Sequence, residues 1–191
     1  IVEAQDGTLR LSIFKQGIFK FEPNEQRLTA LQPLPELPNN NLHTMAIDHQ
    51  DTLWISLFKS GKQKASGLFS LAVGASQYEH HIEEGVVASI LPLDSQRLLL
   101  GFRHHGLKVY HPQRKQLTPI SYQGKPLRGV WSLIKDSSGT IWVGTQNFGL
   151  GRFDPDTLAI QFTNQKDGLP SNTIYAVTAD NQQNLWLATT A

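Results

Sequence analysis

Short apolar stretches alternate with polar turn residues along the whole chain, and the pattern repeats. Asp136-Ser-Ser-Gly139-Thr-Ile-Trp142-Val-Gly-Thr145 has weaker copies in Asp6-Gly7-Thr-Leu9-Arg10-Leu-Ser12, Gln50-Asp-Thr-Leu53-Trp54-Ile-Ser56, Ser95-Gln-Arg-Leu98-Leu99-Leu-Gly101 and Gln183-Asn-Leu185-Trp186-Leu-Ala188. The anchors Leu9, Leu53, Leu98, Ile141 and Leu185 lie 44, 45, 43 and 44 residues apart. A fixed period in this range is the mark of a repeat architecture.

The fourth copy sets out one repeat. Val130–Ile134 is a β-branched and aromatic run that predicts strand one. Asp136-Ser-Ser-Gly139 supplies a turn, with side-chain oxygens for nearby amides and a glycine for positive φ. Thr140–Thr145 is strand two, Gln146-Asn147-Phe148 a loop closed by Gly149, and Leu150–Asp154 strand three. Asp154-Pro155-Asp-Thr157 turns the chain again, Leu158–Phe162 is strand four, and Asp167–Asn172 links to the next repeat. Four short strands per ~44 residues predict an all-β protein, a β-propeller of four-stranded blades. The blades are expected at about 1–44 (partial), 45–85, 86–129, 130–172 and 173–191 (partial). They would form an incomplete arc of about four and a half blades, cut from a larger propeller and self-associating through its raw ends.

Trp54, Trp142 and Trp186 share one repeat position, which predicts packing between blades rather than ligand stacking. Gly139 and Gly149 are structural repeat residues by the same logic.

Composition narrows the function. Lys and Arg number 17 against 16 Asp and Glu, a net charge of +1 that indicates neither a nucleic-acid footprint nor an acidic tail. Cysteine is absent, which removes disulfides and thiol chemistry. No apolar run approaches the ~18 residues of a membrane span, so this segment makes no membrane contact by a helix. His80-His81 and His104-His105 are poor metal pairs, because neighbours in a strand point to opposite faces. No metal or cofactor is expected.

The motif Asp-x-x-Gly-x-Ile/Leu-Trp-Val/Ile-Gly-Thr, then Gly-Leu-x-Arg-Phe-Asp-Pro, then Gly-Leu-Pro-Ser/Asn-Asn-x-Ile resembles the two-component regulator propeller repeat. Residues 130–177 carry it almost in full, and the repeat at 86–129 is degenerate, with Leu99 for Trp. The resemblance implies the extracytoplasmic, or periplasmic, sensing region of a membrane-anchored bacterial receptor. Such propellers usually have seven blades and bind a signal molecule, in some members an oligosaccharide. The output domain would be a histidine kinase or a diguanylate cyclase, and neither is in this chain. Propeller lyases that inactivate streptogramins carry a similar Trp repeat and offer an enzymatic alternative. A plain protein-interaction scaffold is a third.

Function in such a scaffold sits in loops held by the strands. The loops between strands two and three and the linkers fall at one end of the blades. The candidate ligand residues there are Phe14, Lys15, Phe58, Lys59, Arg103, His104, Arg128, Gln146, Asn147 and Asn172. Cations beside aromatic rings suit a sugar or a small anion. No catalytic residue is assigned.

Overall fold

The computed structural model describes residues 1–13, 16–30, 37, 41–58, 66–83 and 85–190. Phe14, Lys15 and Lys59 lie outside the described residues. The chain divides into two compact units, Ile1–Val87 and Ala88–Ala191.

The first unit holds two four-stranded antiparallel sheets. One comprises Val2–Glu3, Leu9–Ile13, Gly17–Glu22 and Arg27–Ala30, paired in sequence order. The other comprises Leu42–Ile47, Leu53–Leu57, Gly67–Leu71 and Glu79–Ile82. Their core gathers Ile18, Met45, Ile55, Leu57 and Phe69.

The second unit holds three sheets. The third sheet of the chain comprises Val87–Pro92, Leu98–Phe102, Gly106–His111 and Gln116–Tyr122, with Lys125–Pro126 as a fifth edge strand. The fourth comprises Val130–Lys135, Ile141–Thr145, Leu150–Phe153 and Ile160–Thr163. The fifth has two strands, Ile174–Ala179 and Leu185–Thr189. The only helices among the described residues are the 3-10 turns Pro112–Arg114 and Gln165–Asp167, so none is long and apolar enough to cross a membrane.

Within each unit, successive sheets stack face to face, which is why strands two and three read as nearly continuous apolar runs. Leu99 and Val109 of the third sheet pack with Val130, Leu133, Ile141 and Val143 of the fourth. The innermost strands are also stitched together by side chains. Ser89 Oγ accepts from the Leu133 amide at 3.0 Å, and Ser132 Oγ accepts from the Val177 amide at 3.1 Å.

The tryptophans depart from a uniform core reading. Trp54 is 4% exposed, Trp142 is half-buried and Trp186 is 63% exposed. Within its own unit Trp54 meets His81, with ring centroids 4.8 Å apart. Trp142 is covered by the two strands of the fifth sheet, with Leu185 and Leu187 in its cluster. Over Trp186 the second unit packs no further sheet among the described residues.

The repeat glycines that open strand three have a steric reason. A Cβ on Gly106 would lie 2.0 Å from the Leu127 carbonyl oxygen, and one on Gly149 would lie 2.2 Å from that of Thr163. Both have positive φ, 82° and 85°.

Candidate functional site

Strand one carries the feature on which the site is built. In the fourth sheet Val130 pairs with Thr145, but the next pair is Ser132 with Gly144, so Trp131 is the extra residue of a β-bulge. Tyr175 is the extra residue in the fifth sheet and His43 in the second. A bulge re-aims the side chain of its unpaired residue, and bulges are enriched beside binding sites. His43 and Tyr175 are exposed, Tyr175 by 50%, while Val130 and Ile174 just before the bulges are fully buried.

In the second unit the bulged side chains meet a loop residue. The Arg103 guanidinium lies 5.1 Å from the Trp131 ring centroid. Trp131 and Tyr175 are edge to face, with centroids 5.8 Å apart and planes at 65°. Cation and ring attract through the ring quadrupole. A guanidinium lying on a ring still has its N–H edges free, and Arg103 makes no hydrogen bond or ion pair among the described residues. Arg128, in the linker just before Trp131, is also exposed and likewise without such a partner. The Trp131 Nε1 is buried and unpaired.

The acids of this unit concentrate at one end of the sheets, whereas cations stand at both, with Arg97, Arg114, Lys115 and Lys135 at the acidic end. Arg103, Lys125, Arg128 and Lys166 lie at the end formed by the two-to-three loops and the linkers, with His104 and His105 beside them. Asp167 is the acidic residue there, and its carboxylate accepts from the Asn164 amide in a capping box. The other acids, Asp94, Asp136, Asp154, Asp156 and Asp180, sit in the turns at the opposite end.

The remaining sequence candidates divide by role. The Asn172 side chain accepts from the Gln165 amide at 2.8 Å, and its carbonyl from the Gly149 amide at 2.9 Å, so it braces the linker. The Gln146 amide donates to the Gly129 carbonyl at 2.7 Å, and the Gln146 carbonyl accepts from the Thr173 hydroxyl. Asn147 and His104 are exposed. In the first unit Phe58 is edge to face with His43 at 6.2 Å. Sequence reasoning missed Trp131, Tyr175 and His43 as a set. Their shared signal is an aromatic or imidazole ring directly after the buried Leu42, Val130 or Ile174.

Two further places lack the makings of a site. A groove of about 380 Å³ is lined by Gly139, Thr140, Arg152, Asp154, Pro155 and Gln161, among others. Trp142, Arg152 and Gln161 form one row across the fourth sheet, matching Leu99, Val109 and Thr118 of the third. In the third sheet Leu99 and Val109 are sealed by the next sheet. In the fourth, Arg152 and Gln161 extend past the two-stranded fifth sheet, so the groove is an uncovered packing face. The histidine pair at 80–81 has structural partners on opposite faces: His80 stacks on Phe69 at 4.1 Å, while His81 meets Trp54 and the Ser70 hydroxyl. No group of three His, Cys, Asp or Glu among the described residues could hold a metal ion.

Comparison with known proteins agrees with this architecture. The two-component regulator propeller model matches residues 124–147 and 168–191. Histidine kinase P4 of Formosa agariphila is 33% identical over 180 residues, covering 87% of this chain and 13% of the kinase. The extracellular domain of the BT4673 one component system of B. thetaiotaomicron superposes with a TM-score of 0.71 at 22% identity, over 98% of this chain and 26% of that one. The WD40 beta propeller domain of Doa1 superposes with a TM-score of 0.67 at 11% identity, over 97% of this chain and 58% of that one. The likeness to the solved structures shows the fold: these sheets are β-propeller blades.

Proposed function

We propose, with the two-component regulator propeller repeats at 124–147 and 168–191 as premise, that this chain is part of the extracytoplasmic sensing propeller of a bacterial signal-transduction receptor. The segment acts by binding. Its output passes to a cytoplasmic kinase or cyclase carried elsewhere in the receptor. A histidine kinase relative of which the chain spans 13%, and a fold neighbour described as an extracellular domain, support this reading.

The observation that carries ligand binding is Arg103 lying on Trp131 with its N–H edges unpaired, at the end of the sheets where acids are scarce. A lyase would need a base with an orienting partner; among the described residues neither His104 nor His105 has a hydrogen-bonded partner, and the Asp167 carboxylate at this end is held by its own turn. Calorimetric titration with a panel of sugars and organic anions tests the proposal. Binding is expected that Arg103→Gln weakens. Ligand binding that ignores this substitution, or that maps to the turns around Asp136 and Asp154, would overturn it.

A further inference from the structure

We infer that Trp131, Tyr175 and Arg103 form one subsite for a small carboxylate that carries a ring. The inference deepens the sensing proposal and rests on its choice of face.

Three observations converge on it. The bulges at Trp131 and Tyr175 lift two aromatic side chains out of strands whose preceding residues are fully buried. A strand without a bulge would place these residues in the alternating pattern of the packed sheet. Tyr175 presents half of its surface to solvent, and its ring stands at 65° to that of Trp131. The two rings therefore make a corner, not a flat patch. Arg103 covers part of Trp131, so the ring surface open to a ligand is chiefly that of Tyr175 and the Trp131 rim.

The chemistry of the corner selects its occupant. Guanidinium N–H edges match a carboxylate in a bidentate fork. Arg128 adds a second cation in the linker that leads into Trp131. No competing acid is free at this end, because Asp167 is engaged by Asn164. An apolar ring face packs on the aromatic corner while the carboxylate takes the arginine edge. Acetate has the charge without the ring, and glucose has the ring without the charge. Each would satisfy half of the site.

The test uses four probes on the 191-residue chain, namely D-glucuronate, benzoate, glucose and acetate, with calorimetry and the indole N–H signals of the ¹⁵N-labelled protein. There are four tryptophans, so four indole signals, and Trp131→Phe identifies its own by deletion. Glucuronate or benzoate is expected to move the Trp131 signal saturably, at least about ten-fold more tightly than glucose or acetate. Whichever of the two binds distinguishes a sugar acid from an aromatic acid. Arg103→Gln and Tyr175→Ala should each weaken binding about ten-fold or more, with unchanged circular dichroism. Equal response to acetate, or full binding in Arg103→Gln, overturns the subsite. If no ring carboxylate binds while another ligand still perturbs Trp131, this inference fails and the sensing proposal stands.

Discussion

The Trp142 indole N–H donates to Asp136 Oδ2 at 2.8 Å, tying strand two back to the turn that precedes it. Trp54 does the same with Asp48 at 2.7 Å and Trp186 with Asp180 at 3.1 Å. Where the tryptophan is missing the aspartate is missing too: Ala4 stands with Arg10, and Leu93 with Leu99. Yet all five turns close through the same backbone bond, Ala4 to Thr8, Asp48 to Thr52, Leu93 to Arg97, Asp136 to Thr140 and Asp180 to Asn184. At the two turns without that aspartate, another slightly further along takes turn amides instead: Asp6 accepts from Thr8 and Asp94 from Gln96. The carboxylate six residues before the tryptophan is the one that reaches the indole, and that position is lost together with the indole.

This tie predicts acid sensitivity. The Ser138 hydroxyl, then the Trp142 indole, hold the Asp136 carboxyl down at about 2, helped by the Thr140 and Ser138 amides. Asp180 is also held at about 2, first by the Asn184 side chain. A depressed folded-state pKa adds stability above the unfolded value of ~4 and loses it as pH falls through ~2. Melting temperature should therefore drop between pH 4 and pH 2, and less so in Asp136→Asn. Parallel curves for the two proteins would rule out this contribution.

The three hooked tryptophans should differ in cost. Trp54→Ala is expected to lose ~3–5 kcal/mol, Trp142→Ala about 2 kcal/mol, and Trp186→Ala under ~1 kcal/mol, following their burial. Denaturant melts measure the order. Equal losses would mean that the hydrogen bond, and not burial, sets the cost.

Glycines separate in the same way. Gly139 has φ 85° but open space around a Cβ, with its nearest neighbour 3.9 Å away. Gly139→Ala should therefore cost only the ~1–2 kcal/mol of the left-handed conformation. Gly149→Ala adds a clash with the Thr163 carbonyl and should cost clearly more. Gln183 occupies the Gly139 position with φ 66°, so Gln183→Gly should be neutral or stabilising. Thermal melts of the three variants would show the ranking, and a mild Gly149→Ala would contradict the close approach.

Trp186 leaves a large apolar side chain in water on the fifth sheet, with Tyr175 also exposed. Exposed apolar surface of this kind promotes association. Light scattering of the 1–191 chain at tens of micromolar should show self-association that Trp186→Ser reduces. A monomer in both proteins would exclude this route.

The sequence by itself determined the repeat, the strand order within it and the end at which loops gather. Those follow from local rules: apolar runs that need two covered faces, Asp-Ser-Gly turns, and glycines ahead of strand three. The resemblance carried by Gly-Leu-x-Arg-Phe-Asp-Pro was legible for the same reason, since it lies in contiguous residues. Arg103 was legible as a loop cation, but its partner was not. Trp131 lies 28 positions further along and Tyr175 another 44, and only the stacking of one blade on the next brings them together. The bulge was equally hidden, because an extra residue in strand one is defined by what strand two pairs with. Tertiary structure also decided the fate of tryptophans with the same local motif. Within the second unit Trp142 is half-buried and Trp186 exposed, because burial depends on the sheet packed above and not on the strand that carries the residue.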